Sequence, residues 1–302
     1  RTTGSTTLLS SETLGASAAN YIFVISDRDE SIWAMIDSNM KEISLADGSV
    51  KSTIPSTNVN RIFAQGDIYL NHATSGTLTT NINDPIAELV KTGNGDLTIT
   101  GTNSSSGGTK IEDGDLIVNN SSGLGSGDIT IEGAELTAAQ DLTISSNINI
   151  TGSSTLDSET GKLIDIKGQI NGAGSLTFSG EGSFNVTGEI VNEGTVIING
   201  PTLAINTTTS QSLTINSGVV KGAGTIASLT ANSGAIQPGN SIGTLTISGN
   251  YDQSGANLEI EVSSSGETDL LNITGNAAIS GGLTINFTDE GDYSAGQEFI
   301  FL

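Results

Sequence analysis

One short unit recurs through most of this chain: a glycine, a polar residue, then apolar, polar, apolar, closed by a turn residue. It reads Gly95-Asp-Leu-Thr-Ile-Thr-Gly, Gly114-Asp-Leu-Ile-Val-Asn, Gly127-Asp-Ile-Thr-Ile-Glu-Gly and Asp141-Leu-Thr-Ile-Ser in the first half. It continues as Gly174-Ser-Leu-Thr-Phe-Ser-Gly, Gly182-Ser-Phe-Asn-Val-Thr-Gly, Gly194-Thr-Val-Ile-Ile-Asn-Gly and Ser212-Leu-Thr-Ile-Asn, then Gly243-Thr-Leu-Thr-Ile-Ser-Gly and Gly282-Leu-Thr-Ile-Asn-Phe. In a strand, successive side chains point to opposite faces, so the two apolar residues share one face and the intervening Thr or Asn the other. Gly and Asn at the ends accept the backbone conformations that corners require.

The spacing selects among β architectures. Gly95 to Gly114 is 19 residues, as is Gly224 to Gly243, while intermediate starts fall 8 to 13 apart. A parallel β-helix uses about 20 residues or more per coil, with several short strands in each. An immunoglobulin-like sandwich array would need larger inward residues and longer strands. With 39 Gly, 4% aromatics and 14% charged residues among 302, the chain is poorly equipped for one thick core. A thin core repeated along an axis closes with Ile, Leu, Val and Ala alone. The persistent alternation also argues against disorder. The expected fold is all-β: a right-handed parallel β-helix over residues 87–302, after a mixed, mostly β N-terminal cap region over residues 1–86. Recurring Asn and Thr are expected to stack in ladders along its outer faces.

Charge excludes several partners. The formal net charge is −23, from 10 Lys and Arg against 33 Asp and Glu. All three arginines, Arg1, Arg28 and Arg61, lie near the start, and after Lys221 nine acidic residues follow with no basic one. A phosphate backbone needs basic neutralisation, so no nucleic acid is expected as partner. Attraction to anionic lipid is disfavoured for the same reason. With no Cys, disulfides, zinc–thiolate sites and thiol nucleophiles are excluded. No apolar run approaches the ~20 residues a spanning helix needs, so direct membrane insertion is not expected. A chain opening on Arg1 rather than Met reads as a piece of something longer.

Residues 1–86 differ in texture, holding the one Trp, both Met, the one His and every Arg. Tyr21-Ile-Phe-Val-Ile25 suits a buried strand. Within Ser31–Ile43 the residues Ile32, Met35, Ile36, Met40 and Ile43 fit one helical face, yet Asn39, Asp47-Gly48 and Pro55 punctuate at strand length, which favours a hairpin continuing into Val50–Ile54.

Two segments carry a family resemblance. Leu89-Val-Lys-Thr-Gly-Asn-Gly-Asp-Leu-Thr-Ile-Thr-Gly-Thr-Asn103, with Gly107-Gly-Thr-Lys-Ile111 and Gly114-Asp-Leu-Ile-Val, resembles the repeat of bacterial autotransporter passengers, with Ser105 where that repeat commonly has an aromatic. Pro238-Gly-Asn-Ser-Ile-Gly-Thr-Leu-Thr-Ile-Ser-Gly-Asn-Tyr251, running on to Leu258-Glu-Ile-Glu and Asp269-Leu-Leu-Asn-Ile-Thr-Gly, resembles their late passenger segment. The end, Tyr293 with Gly296-Gln-Glu-Phe-Ile-Phe-Leu302, resembles the strand closing such a region. The resemblance implies export to the bacterial surface or the medium, a membrane-embedded C-terminal β-barrel in the precursor, and a C-terminal region, residues 225–302, that folds first.

Chemistry is sparse. His72 is the one imidazole, with Asp67 and Ser75 near in sequence, but neither Gly-Asp-Ser-Gly nor Gly-x-Ser-x-Gly is present, so an exposed loop histidine is expected. Carboxylates recur in pairs. Glu259 and Glu261 share an outward strand face, Asp113 and Asp115 flank Gly114 at a turn, and Asp27, Asp29 and Glu30 crowd one loop. Glycoside cleavage needs two carboxyls about 5–9 Å apart, usually beside aromatic sugar platforms, which one Trp and four Tyr scarcely supply. Asp289-Glu-Gly-Asp292 offers hard oxygens to calcium but reads better as a solvated turn, and Thr92-Gly-Asn-Gly-Asp96 lacks the spacing of calcium nonapeptides. No metal, cofactor or catalytic residue is expected.

The reading is a non-enzymatic adhesin or host-interaction module. Its partner would be a host-cell receptor or an extracellular matrix protein. Phe23, Arg28, Trp33, Met35 and Arg61 are the candidate contacts, because aromatic, Met and Arg side chains dominate binding hot spots. A stalk or coat element displaying an upstream domain is the alternative. A polysaccharide-cleaving β-helix enzyme is the third.

Overall fold

The computed structural model describes residues 88–302 except 292, 294 and 295, and before them Thr77, Ile82, Ile86 and the backbone of seven strands. The described residues are all-β, none of them is helical, and from Asp67 onward their strands stack as a parallel solenoid. Among the described residues no helix is long and apolar enough to cross a membrane.

Four N-terminal strands, Phe23–Ser26, Ser31–Ile36, Asn39–Ser44 and Val50–Pro55, pair antiparallel in that order. Ser31–Ile43 is thus the hairpin its punctuation favours rather than a helix. Asn60–Ala64 then pairs antiparallel with Asp67–Asn71, and from Asp67–Asn71 onward the strand pairing is parallel.

The solenoid presents three strand columns. The first runs through Leu89–Thr92, Thr109–Ile111, Ile129–Glu132 and Ile148–Thr151 to Ile170–Asn171. The second runs through Leu97–Ile99, Asp115–Val118, Glu135–Ala138, Ser153–Ser158 and Ser175–Gly180. The third starts at Leu142–Ile144 and climbs through Leu163–Ile166 and Ser183–Val186. Two longer strands, Val196–Ile205 and Thr208–Gly222, turn corners and serve more than one column.

Because the pairing is parallel and in register, like residues stack. Leu97, Leu116, Leu136, Leu156, Phe178, Ile198 and Ile215 form one continuous inner column. Leu142, Ile164, Phe184, Leu203, Val220, Ile236 and Leu258 form another. Both columns are buried, and each such side chain contributes about 1.5–3 kcal/mol relative to exposure. Where the columns carry rings, Phe178 and Phe184 meet edge to face at 5.0 Å, the geometry aromatic quadrupoles favour.

Outside, the expected amide ladder is present. Asn185 Nδ2 donates to Asp165 at 2.7 Å, Asn206 Nδ2 to Asn185 at 2.8 Å, and Asn240 Nδ2 to Asn206 at 2.8 Å. The C-terminal end departs from expectation: residues 297–302 are not a strand. A backbone bond, Leu271 N to Phe301 O at 2.9 Å, lays this end against the last coil, and Gly296 turns the chain just before it with φ 89°.

Candidate functional site

The first repeat corner holds the most unusual group in the solenoid. Lys91 occupies an inward position two residues after the buried Leu89, and is itself 0% exposed. At the end of its strand it can reach the corner, where its ammonium donates to Gly93 O at 2.6 Å, Asp113 O at 2.7 Å and Thr92 O at 3.3 Å. Asp113 belongs to the next coil, so one side chain fastens two successive corners. Gly114, with φ 68°, roofs this arrangement. A Cβ there would sit 2.8 Å from Lys91 Nζ and from two carbonyl oxygens, which leaves no room for a larger residue.

Burial lowers the Lys91 pKa, and Asp113, Asp96 and Asp115 oppose that shift. Beside the same corner the outer face becomes acidic. Asp115 pairs with Glu135 across adjacent parallel strands, and Asp96 joins them around a cleft of about 340 Å³ that also includes Ser153 and Thr155. Thr137 Oγ1 lies 3.1 Å from Asp115 Oδ2 and 3.4 Å from Glu135 Oε1. Asp115 Oδ1 is buried and takes no hydrogen bond. Burial, and then the Glu135 charge, push the Asp115 carboxyl up to about 7. Burial and the Asp157 charge raise Glu135 as well. Asp115 is therefore held toward its protonated form, and no aromatic side chain lines the cleft.

The Pro-Gly segment builds a second cleft. Gly239 and Gly222 exchange backbone hydrogen bonds at 2.9 and 2.8 Å. Asp269, 1% exposed, accepts from Gly243 N and from Glu261 N, both at 2.8 Å. Tyr251, the aromatic that opens the following strand, is buried with its hydroxyl on Gln253 Oε1 at 2.9 Å. Gln253 Nε2 in turn donates to Ala256 O and Gly282 O, each at 2.8 Å, tying one coil to the next.

The expected site residues divide sharply. Arg28, His72, Ser75, Asp27, Asp29 and Glu30 lie outside the described residues. Phe23, Trp33, Met35, Arg61 and Asp67 fall on strands whose side chains also lie outside them. Glu259 and Glu261 do share the outward face of their strand, with Leu258, Ile260 and Val262 buried between and beside them. The Asp113 and Asp115 pair is split. Asp113 stays in the turn, where its carboxylate accepts from Gly114 N at 2.9 Å, while Asp115 stands in a strand facing the cleft. Asp289 is held by Ser264 Oγ and the Tyr293 hydroxyl, each at 3.0 Å. Asp292 lies outside the described residues. Among the described residues no group of three His, Cys, Asp or Glu could hold a metal ion.

Residues 89–118 match the family described as passenger-associated-transport-repeat. The chain is also 36% identical over 105 residues to a protein named adhesin BmaC autotransporter, from Brucella suis biovar 1 (strain 1330). That match spans 34% of this chain but 3% of the adhesin. The two matches together support an autotransporter passenger domain. No solved structure matches the chain. The repeat match runs from the strand bearing Lys91 to the strand bearing Asp115, so it covers the buried ammonium and both of its corners.

Proposed function

We propose that this passenger is a non-catalytic adhesive module, displayed on the bacterial surface or released from it, that binds a host-cell receptor or an extracellular matrix protein. Export would pass through a C-terminal β-barrel of the same precursor. The observation that carries this reading is the likeness to a named adhesin in a chain that also bears the passenger repeat. The chemistry of the solenoid agrees with it. Its interior is given to packing, and the buried Lys91 ammonium is saturated by backbone carbonyls. Recognition is assigned to residues 1–86, with Phe23, Arg28, Trp33, Met35 and Arg61 as contacts.

The test is direct binding of the purified chain to host cells and to immobilised matrix proteins, with Trp33→Ala and Arg61→Ala variants alongside. Binding by the parent that drops in the variants is expected. A second reading has its own support: the match occupies 3% of a far larger adhesin, as a stalk segment would. Absence of binding by the folded chain would favour the stalk. The polysaccharide-cleaving reading now centres on the acidic cleft, and it requires turnover of acidic glycans that disappears in Asp115→Asn.

A further inference from the structure

We propose that the cleft beneath the Pro238–Gly243 loop is a binding site for a neutral sugar residue, held through its hydroxyl groups. The cleft has a volume of about 150 Å³, room for one small molecule. Its floor is made of outward side chains on successive coils: Lys221 pairs in register with Gln237, Gln237 Nε2 donates to Glu259 at 2.6 Å, and Glu261 stands beside Asn286 on the neighbouring strand. Asn240 and Ser241 of the overhanging loop form the opposite wall.

Two features make this a prepared site rather than a surface dent. The wall is fixed, because the loop is fastened at Gly239 by its bonds to Gly222, at Asn240 by Asn206 and at Gly243 by Asp269. The cleft also offers unspent polar groups on both floor and wall. Among the described residues, the Lys221 ammonium, the Glu261 carboxylate, the Asn286 amide and the Ser241 hydroxyl have no side-chain hydrogen bond or ion pair. Asp269 is not one of these groups, since both its oxygens are saturated by backbone N–H.

The ligand class follows by elimination. A metal ion would face the Lys221 ammonium, and an anion would face Glu259 and Glu261. An apolar peptide finds no apolar side chain but Pro238. A neutral polyol satisfies the set through hydrogen bonds alone, without an aromatic platform, giving hydroxyl protons to the carboxylates and accepting from the ammonium and the amide. This goes beyond the adhesive reading and does not depend on residues 1–86.

The experiment is saturation-transfer NMR on the full chain with the methyl glycosides of glucose, galactose and mannose, and with glucuronate and calcium as charged competitors. At least one neutral glycoside is expected to give signals, weakened about tenfold in affinity by Lys221→Ala and by Glu261→Ala. Both side chains point outward, so melting midpoints are expected to match the parent. Silence from all three glycosides overturns the proposal. So do signals that survive Lys221→Ala and Glu261→Ala combined in one chain, or displacement by glucuronate or calcium.

Discussion

Lys91 is a charged residue at a position where strand alternation would place an aliphatic one. Its three carbonyl partners supply what burial removes, and truncating it takes the shared donor from Gly93 O and Asp113 O of successive corners. Lys91→Met keeps the length and loses the charge. It is expected to lower the unfolding free energy by about 2 kcal/mol, measured by urea denaturation, whereas an equal or higher stability would make the ammonium dispensable. Asp115 works in the opposite direction. Its folded pKa of about 7 lies above the ordinary 3.8, so between those values the fold retains a proton that the unfolded chain releases. Stability is therefore expected to fall as pH rises from about 4 to 7, and to be lower at pH 8 than at pH 5. Asp115→Asn should flatten that slope and stabilise the protein at pH 8. Identical slopes in parent and variant would show that the acidic cleft is relaxed by solvent.

At the scale of elements, the loop Pro238–Gly243 is held from outside itself. Asp269, on the far side of the strand Asn257–Val262, receives the Gly243 and Glu261 amides. Asp269→Ala is expected to speed hydrogen exchange at those two amides and to cost about 2–3 kcal/mol, since each bond joins a charged acceptor to a backbone donor. Protection unchanged at Gly243 would mean that the bonds between Gly222 and Gly239 suffice. The strands themselves were legible in the sequence: Leu97–Ile99, Leu142–Ile144, Ser183–Val186 and Thr244–Ile247 each sit on a repeating unit, because period-two burial leaves a direct trace in residue type. The acidic cleft was not read, although the signal existed. Asp96-Leu, Asp115-Leu and Glu135-Leu recur at 19 and 20 residues, the same rise that stacks Leu97, Leu116 and Leu136. Reading glycine starts gives the coil length. Reading what precedes each inner leucine would have given the outer column. Asp269 left no such trace, because its role depends on a loop folding back across 26 residues.

Over the whole molecule, a parallel solenoid has no single core, so its stability is a sum over coils and their contacts and need not be even along the axis. The early coils use strands of 3 or 4 residues, as at Leu97–Ile99, Thr109–Ile111 and Asp115–Val118, and the third column does not begin until Leu142. Between them run the connections 100–108 and 119–128, where Asn103 is buried with its amide nitrogen unpartnered and Ser105 is buried at the position an aromatic would fill. Val196–Ile205 and Thr208–Gly222 then run 10 and 15 residues and wrap the corners without a break, before Ala235–Pro238, Thr244–Ile247 and Tyr251–Gln253 return to 3 or 4. Tyr251 and Gln253 then cross-link the interior with three hydrogen bonds. Opening free energy should track this gradient, since local unfolding is easiest where few apolar groups and few ladder bonds must be given up. Native-state hydrogen exchange is expected to show amides of Leu97–Ile99 and Thr109–Ile111 exchanging well before those of Val196–Ile205, Thr208–Gly222 and Asn257–Val262. The same difference would let the coils up to Asn257–Val262 persist while the earlier ones are open, as a folding-first role for residues 225–302 would require, although the end strands Ala277–Ile279 and Gly282–Phe287 are exposed. Uniform exchange along the chain, or faster exchange beyond residue 225 than before 120, would remove that asymmetry and with it the physical basis for folding from the C-terminal side.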